Sequence, residues 1–189
     1  MKRLFVAIKI NPEDQLCAAY RKIKDKLYSD KIKWVKEDNL HITLNFLGDI
    51  PDKNLKIVAE KLRNSLKGVR SFDFLIEGFG YFGSSRFPRV LWLGIQHKES
   101  LPDLFSKVNS GLKNFGAPEK NLAFKPHLTI GRVKEFKSIN SLFELEAEFT
   151  GETFQAVRVN EVILFESILK PTGPVYRVVD KVELGKKIH

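Results

Sequence analysis

The chain is 189 residues long, with 43% hydrophobic and 29% charged residues and a formal net charge of +9. That balance excludes general disorder, and the length suits one domain that can bury a core without staples. A lone cysteine, Cys17, rules out an intrachain disulfide and a multi-cysteine zinc site, while the positive balance points first to polyanionic partners such as nucleic acid.

Met1-Lys2-Arg3 leads into an apolar run that Lys9 interrupts. The run is too short for the core of a secretory signal, and the alternation of Leu4, Val6, Ile8 and Ile10 predicts a strand over 3–10. Asn11-Pro12 marks a helix start ahead of Leu16, Tyr20, Ile23 and Leu27, with Cys17 inside it as an inert small residue. A strand follows over 41–47. Pro51-Asp52 precedes a second helix carrying Leu55, Val58, Leu62 and Leu66. Strands over 72–79 and 89–95 flank the irregular stretch 80–89. Pro102-Asp103 sits ahead of a third helix with Phe105, Val108, Leu112 and Phe115. A strand over 127–133 comes next, then a shorter helix capped by Ser138 that holds Leu142 and Phe143. Strands over 149–159, 161–168 and 175–184 complete the chain. Helices alternate with strands early and strands crowd the last third, which predicts an α+β domain. No apolar run reaches the 18 or more residues of a membrane helix, so no membrane association is expected. A reducing, cytoplasmic location fits the single cysteine.

Two of these strands resemble each other. His41-Ile42-Thr43-Leu44-Asn45-Phe46-Leu47 and His127-Leu128-Thr129-Ile130-Gly131-Arg132-Val133 both read His, aliphatic, Thr, aliphatic. In a strand, residues i and i+2 share a face. His41 and Thr43 therefore project together, with Ile42, Leu44 and Phe46 turned to the core. His127 and Thr129 do the same, with Leu128 and Ile130 buried. One such pair is commonplace on a half-exposed strand; two place two imidazoles and two hydroxyls where they can converge. Paired imidazoles suit a reaction in which one proton leaves a nucleophile and another reaches a leaving group. Hydroxyls can donate to phosphate oxygens, so a basic chain with this set suits a phosphodiester. No carboxylate stands at ligand spacing from either histidine, so they read as acid and base rather than metal ligands.

With these motifs the chain resembles the 2H phosphoesterases, and within them the RNA 2′,3′-cyclic phosphodiesterase (2′-5′ RNA ligase) branch. The resemblance covers Arg3-Leu4-Phe5-Val6-Ala7-Ile8, Trp34-Val35, Asn39 to Leu44 with Phe46-Leu47-Gly48, Phe79-Gly80, Pro88 to Trp92, and Pro126 to Arg132. It implies a bilobal α+β fold, one domain over 1–189, with two pseudo-symmetric, mainly antiparallel sheets around a central cleft and helices outside. It implies hydrolysis of RNA 2′,3′-cyclic phosphate ends to 2′-phosphomonoesters, with 2′-5′ ligation as the reverse chemistry. By position, His41 would be the proton donor and His127 the general base, and Thr43 and Thr129 would hold the phosphate. It implies no metal and no other cofactor. The partner would be an RNA end bearing the cyclic phosphate, and the protein is expected to be a monomer. The resemblance also puts Arg132 on the phosphate. Strict alternation sends it to the other face, and a bulge at Gly131 reconciles the two.

Two other readings remain open at this point: a non-catalytic RNA-end binder, and a phosphodiesterase for a small cyclic nucleotide or a 2′-5′ oligonucleotide. Gly78-Phe79-Gly80-Tyr81-Phe82-Gly83 matches a dinucleotide fingerprint but is followed by a strand where that motif needs a helix, so it reads as a turn. Phe82, Phe87 and Trp34 are candidates to stack a base, with burial in the core the commoner use of such residues. Lys33, Lys36, Lys125 and Arg89 flank the motifs and are candidates to steer RNA. His97 and His189 are expected at the surface.

Overall fold

The computed structural model describes residues 1–97, 99–115 and 124–186. In chain order the elements are β1 (Lys2–Lys9), α1 (Asp14–Lys26), β2 (Lys31–Trp34), β3 (His41–Ile50), α2 (Leu55–Ser65), β4 (Phe72–Gly83), β5 (Pro88–Gln96), α3 (Ser100–Gly111), β6 (His127–Glu135), α4 (Ile139–Phe149), β7 (Thr153–Val159), β8 (Glu161–Lys170) and β9 (Gly173–Glu183). They form two antiparallel sheets, ordered β3-β1-β8-β9 and β2-β6-β5-β4-β7. Helices α2 and α3 pack on the first sheet, α1 and α4 on the second. This is the α+β class that the element pattern predicts and the two-sheet arrangement that the resemblance implies. Among the described residues no helix is long and apolar enough to cross a membrane.

Apolar spacing decides which face each helix buries. Leu16, Tyr20, Ile23 and Leu27 recur at helical intervals and are all within 1% of full burial. Leu62 on α2, Leu104 on α3 and Leu142 on α4 are likewise buried, each contributing roughly 1.5–3 kcal/mol. The opposite face of the first sheet carries a smaller cluster of Phe5, Ala7, Ile163 and Phe165, with Tyr176 packed against it.

Several boundaries differ from expectation. Strand β2 is absent from the sequence reading: it is four residues long, and its lysines mask a short Ile32/Trp34 alternation. The strand expected over 149–159 begins only at Thr153, because α4 runs on to bury Phe149 in its last turn and the chain reverses at Gly151 with φ 72. Helix α3 starts at Ser100, so Pro102 lies within its first turn, where no backbone donor is needed. Ser138 makes no side-chain cap; Asp30 accepts instead from the backbone N–H groups of Lys137 and Ser138, at 2.6 and 3.3 Å. The stretch 80–89 is mostly hairpin, β4 extending to Gly83 and β5 starting at Pro88.

Candidate active site

Both motif strands begin at their histidine, and both carry one extra residue at the same offset. Between β1 and β3, Thr43 pairs with Ala7 and Asn45 with Val6, which leaves Leu44 unpaired. Between β5 and β6, Thr129 pairs with Trp92 and Gly131 with Leu91, which leaves Ile130 unpaired. Each bulge falls three residues after the histidine and reverses the alternation beyond it. The fifth residue after each histidine therefore rejoins the histidine's side. In β6 that residue is Arg132, which faces the cleft; the irregularity lies at Ile130–Gly131. In β3 it is Phe46, expected in the core but 61% exposed and lining the cleft.

Each bulge is held from a helix. Asn109 of α3 donates from Nδ2 to the Leu44 carbonyl at 3.1 Å and accepts from Asn45 Nδ2 at 2.6 Å. The Tyr20 hydroxyl of α1 lies 2.5 Å from the Val35 carbonyl and 3.0 Å from the Ile130 carbonyl. Gly131 has a packing reason to be glycine: a Cβ there would meet Ile32 Cγ2 at 2.8 Å and Trp34 Cε3 at 3.0 Å.

His41, Thr43, His127, Thr129 and Arg132 all line one cleft of about 660 Å³ between the sheets. The two imidazoles are anchored alike. His41 Nδ1 lies 2.7 Å from the Asn39 carbonyl and His127 Nδ1 lies 2.7 Å from the Lys125 carbonyl, in each case two residues back. A carbonyl only accepts, so both Nδ1 atoms carry the proton and both Nε2 atoms are left for chemistry. Aromatic rings fix the ring planes. Phe5 and Tyr176 stand 5.0 and 5.2 Å from His41, Tyr176 edge-on at 87°. Phe82 stands 4.8 Å from His127, edge-on at 89°.

Burial pushes both imidazoles below their ordinary 6.5, opposed by the anchoring carbonyls and reinforced by the Arg132 guanidinium. His127 adds to the depression at His41. Burial raises the Tyr176 phenol, and Arg132 works against that rise. One cation thus acts on three cleft residues, and a bound phosphate would reverse its effect on the imidazoles by favouring their charged forms.

Sequence reasoning missed Phe5, Asn39 and Tyr176 as partners of His41; the two rings meet it only through long-range packing. Asn39 also donates from Nδ2 to the Pro174 carbonyl at 2.9 Å, which ties the β8–β9 hairpin to the His41 anchor. Of the aromatic candidates, Phe82 packs on His127, and Trp34 lines the cleft while packing edge-on against Tyr20. Phe87 is 76% exposed in the β4–β5 turn rather than in the core. The glycine-rich stretch is strand and hairpin, not a fingerprint loop: a Cβ at Gly80 would lie 2.4 Å from the Trp92 ring, so the residue serves hairpin packing. Burial and Glu37 keep the Cys17 thiol up and thus protonated. His97 is half-buried, and His189 lies outside the described residues. Lys33 and Lys36 line the cleft. Among the described residues no group of three His, Cys, Asp or Glu side chains gathers as a metal site would require.

A family model described as LigT-like phosphoesterase matches the chain twice in succession, over residues 8–92 and 93–176. An RNA 2′,3′-cyclic phosphodiesterase of Thermotoga maritima is 35% identical over 94% of this chain and 92% of its own. Another of the same name, from Methanothermobacter thermautotrophicus, is 35% identical over 92% of this chain and 94% of its own. Among solved structures, the Thermus thermophilus protein TT0787 superposes with a TM-score of 0.76 at 25% identity, covering 98% of this chain and all of that one. Escherichia coli LigT complexed with 3′-AMP shares the fold at a TM-score of 0.73 and 23% identity, covering 97% of this chain and 98% of its own.

Proposed function

Because this chain belongs to the LigT-like phosphoesterase family, we propose that it is an RNA 2′,3′-cyclic phosphodiesterase, opening the cyclic phosphodiester at an RNA 3′ end to leave a 2′-phosphomonoester. The observation that carries this reading is the matched pair of imidazoles, each anchored through Nδ1 to the carbonyl two residues back and each sharing one cleft with a threonine. The curated relatives named above support the substrate class.

The chemistry follows from that pairing. His127 Nε2, unprotonated, takes a proton from water as the water oxygen bonds to phosphorus. The bond from phosphorus to the 3′ oxygen breaks on the opposite side, and protonated His41 delivers its Nε2 proton to that oxygen. In-line displacement needs base and acid on opposite sides of one phosphorus, which one imidazole from each sheet can supply. Thr43, Thr129 and Arg132 take the non-bridging oxygens, where charge builds. The acid and base roles follow the order of the motifs in related proteins. With a 5′-hydroxyl as nucleophile in place of water, the same displacement forms a 2′-5′ bond. The two successive family matches fit a single domain of two pseudo-symmetric lobes.

The test is to incubate the protein with an oligonucleotide ending in 2′,3′-cyclic phosphate, with EDTA in excess, and to identify the product. A 2′-phosphate formed at an undiminished rate is expected, since the imidazoles supply both proton transfers. A 3′-phosphate product, or activity lost on chelation and restored by a divalent ion, would overturn the mechanism.

A further inference from the structure

Strand β2 pairs with β6 so that Lys33 stands directly opposite Arg132. Opposite residues of an antiparallel pair point to the same side, and like charges there are destabilising. Lys31, two residues earlier, is neutralised by Glu135 at 2.8 Å. Neither Lys33 nor Lys36 has an ion pair among the described residues, although both line the same cleft as the histidines. These lysines are also held in place. The Val35 N–H donates to the Ile130 carbonyl at 2.9 Å, which carries the β2–β6 pairing beyond Trp34. A turn over Glu37–Asn39 then leads into His41. One continuous segment thus sets two unneutralised cations and the acid histidine along a single wall.

We propose that Lys33 and Lys36 form a second anion subsite, which takes the phosphodiester one nucleotide upstream of the reacting cyclic phosphate. The proposal rests on the function assigned above and deepens it: recognition of the RNA end extends past its terminal nucleotide, through these two lysines. Arg132 serves the reacting phosphate. Lys33 stands one strand further out, roughly 4.8 Å away in the sheet. Its flexible four-carbon stem carries the ammonium onward along the cleft toward the next phosphate of the chain. A bound polyanion removes the penalty of the like-charge pair; a lone nucleoside cyclic phosphate fills only the inner position. Lysines suit this role, because a point charge on a flexible stem holds a backbone phosphate without reading sequence.

The experiment compares kcat/KM for adenosine 2′,3′-cyclic phosphate, for uridylyl-adenosine 2′,3′-cyclic phosphate, and for the same dinucleotide with a neutral methylphosphonate linkage. The expected result is a preference of about tenfold or more for the charged dinucleotide over the other two, the scale of a hydrogen bond to a charged group. The K33Q/K36Q variant should lose that preference. It should also weaken the salt dependence of dinucleotide turnover, since screening acts on the charge pair that the variant removes. Equal turnover of the charged and methylphosphonate dinucleotides would overturn the subsite while leaving the phosphodiesterase reading intact. So would a variant that loses all three substrates in equal proportion. No turnover of any of the three would overturn both.

Discussion

Tyr20→Phe removes one oxygen from the middle of α1, and the expected damage appears at Arg132. The Tyr20 ring is 1% exposed, and its hydroxyl lies 2.5 Å from the Val35 carbonyl and 3.0 Å from the Ile130 carbonyl. Ile130 is the extra residue of the β6 bulge, so this hydroxyl holds the irregularity that turns Arg132 into the cleft. Deleting it leaves the ring packing intact and takes the phenol from the Val35 carbonyl, while the Ile130 carbonyl keeps only the Val35 N–H. The cost is about 1–3 kcal/mol. For a chain of this size that lowers Tm by roughly 2–4 °C per kcal/mol, so by about 2–12 °C. Thermal unfolding reads this part. The second part is kinetic: loosening the bulge lets Arg132 wander, and misplacement of about 1 Å can cost up to ~10²-fold in rate. A double-mutant cycle with Arg132→Ala separates the two effects. Tyr20→Phe should lower kcat/KM in the parent and leave it nearly unchanged once Arg132 is gone, while the fall in Tm persists in both. An unchanged Tm, or an equal kinetic loss with and without Arg132, would refute the link from phenol to bulge to guanidinium.

Further outcomes are expected. His41→Ala and His127→Ala should each lower turnover by roughly 10²–10⁴-fold, with the double variant little worse than either, and multiplication of the two defects in steady-state assays would count against a coupled pair. Both imidazoles are depressed below 6.5 by burial. The unfolded chain therefore takes up protons first as pH falls, so the stability these histidines give is present above about 6.5 and lost as pH drops through their folded values. Imidazole NMR should place both folded values below 6.5 and move them upward on adding inorganic phosphate; values at or above 6.5 in its absence would contradict the burial argument. Phe46→Ala should leave Tm almost unchanged, because the ring is 61% exposed, and should raise KM by the ~1–3 kcal/mol of a base stack. A large fall in Tm with unchanged KM would return Phe46 to a structural role.

The His-x-Thr pairs were legible because period-two alternation is local: the shared faces of His41 with Thr43 and of His127 with Thr129 follow from strand geometry alone. The same rule failed a few residues later. It sent Phe46 to the core, and only the resemblance brought Arg132 to the phosphate. A bulge leaves no mark in the hydrophobic pattern; it is written in which residues pair across strands, and in distant donors such as Asn109 and Tyr20. The helices were readable because Leu16, Tyr20 and Ile23 recur at helical spacing; at α4 the cap position, Ser138, was legible too, but not the distant Asp30 that accepts from the backbone there in place of a serine cap. Strand β2 escaped because four residues with two lysines carry too little pattern. The rings around His41 come from β1 and β9, at opposite ends of the chain, and nothing near His41 in sequence announces them.

The matched bulges give the two motif strands an uneven tolerance to changes of length. Between His127 and Thr129 the pleat is regular, so deleting Leu128 puts the histidine and the threonine on opposite faces. Deleting Ile130 acts differently, because that residue has no partner in β5 and meets β2 only through the Val35 N–H, at the end of that pairing. Regular pleating would close up behind it, and Arg132 would keep both its place opposite Val90 and its direction into the cleft. What is lost is one buried side chain and the carbonyl that Tyr20 holds, a cost in stability of about 2–5 kcal/mol rather than a scrambled site. The same holds for Leu44 in β3. In a library of single-residue deletions between each motif histidine and the fifth residue after it, correctly aimed sites should therefore survive as shortened bulges, at 44–45 and 130–131. Their neighbours one and two places nearer the histidine should be empty at any temperature, however conservative their substitutions prove to be.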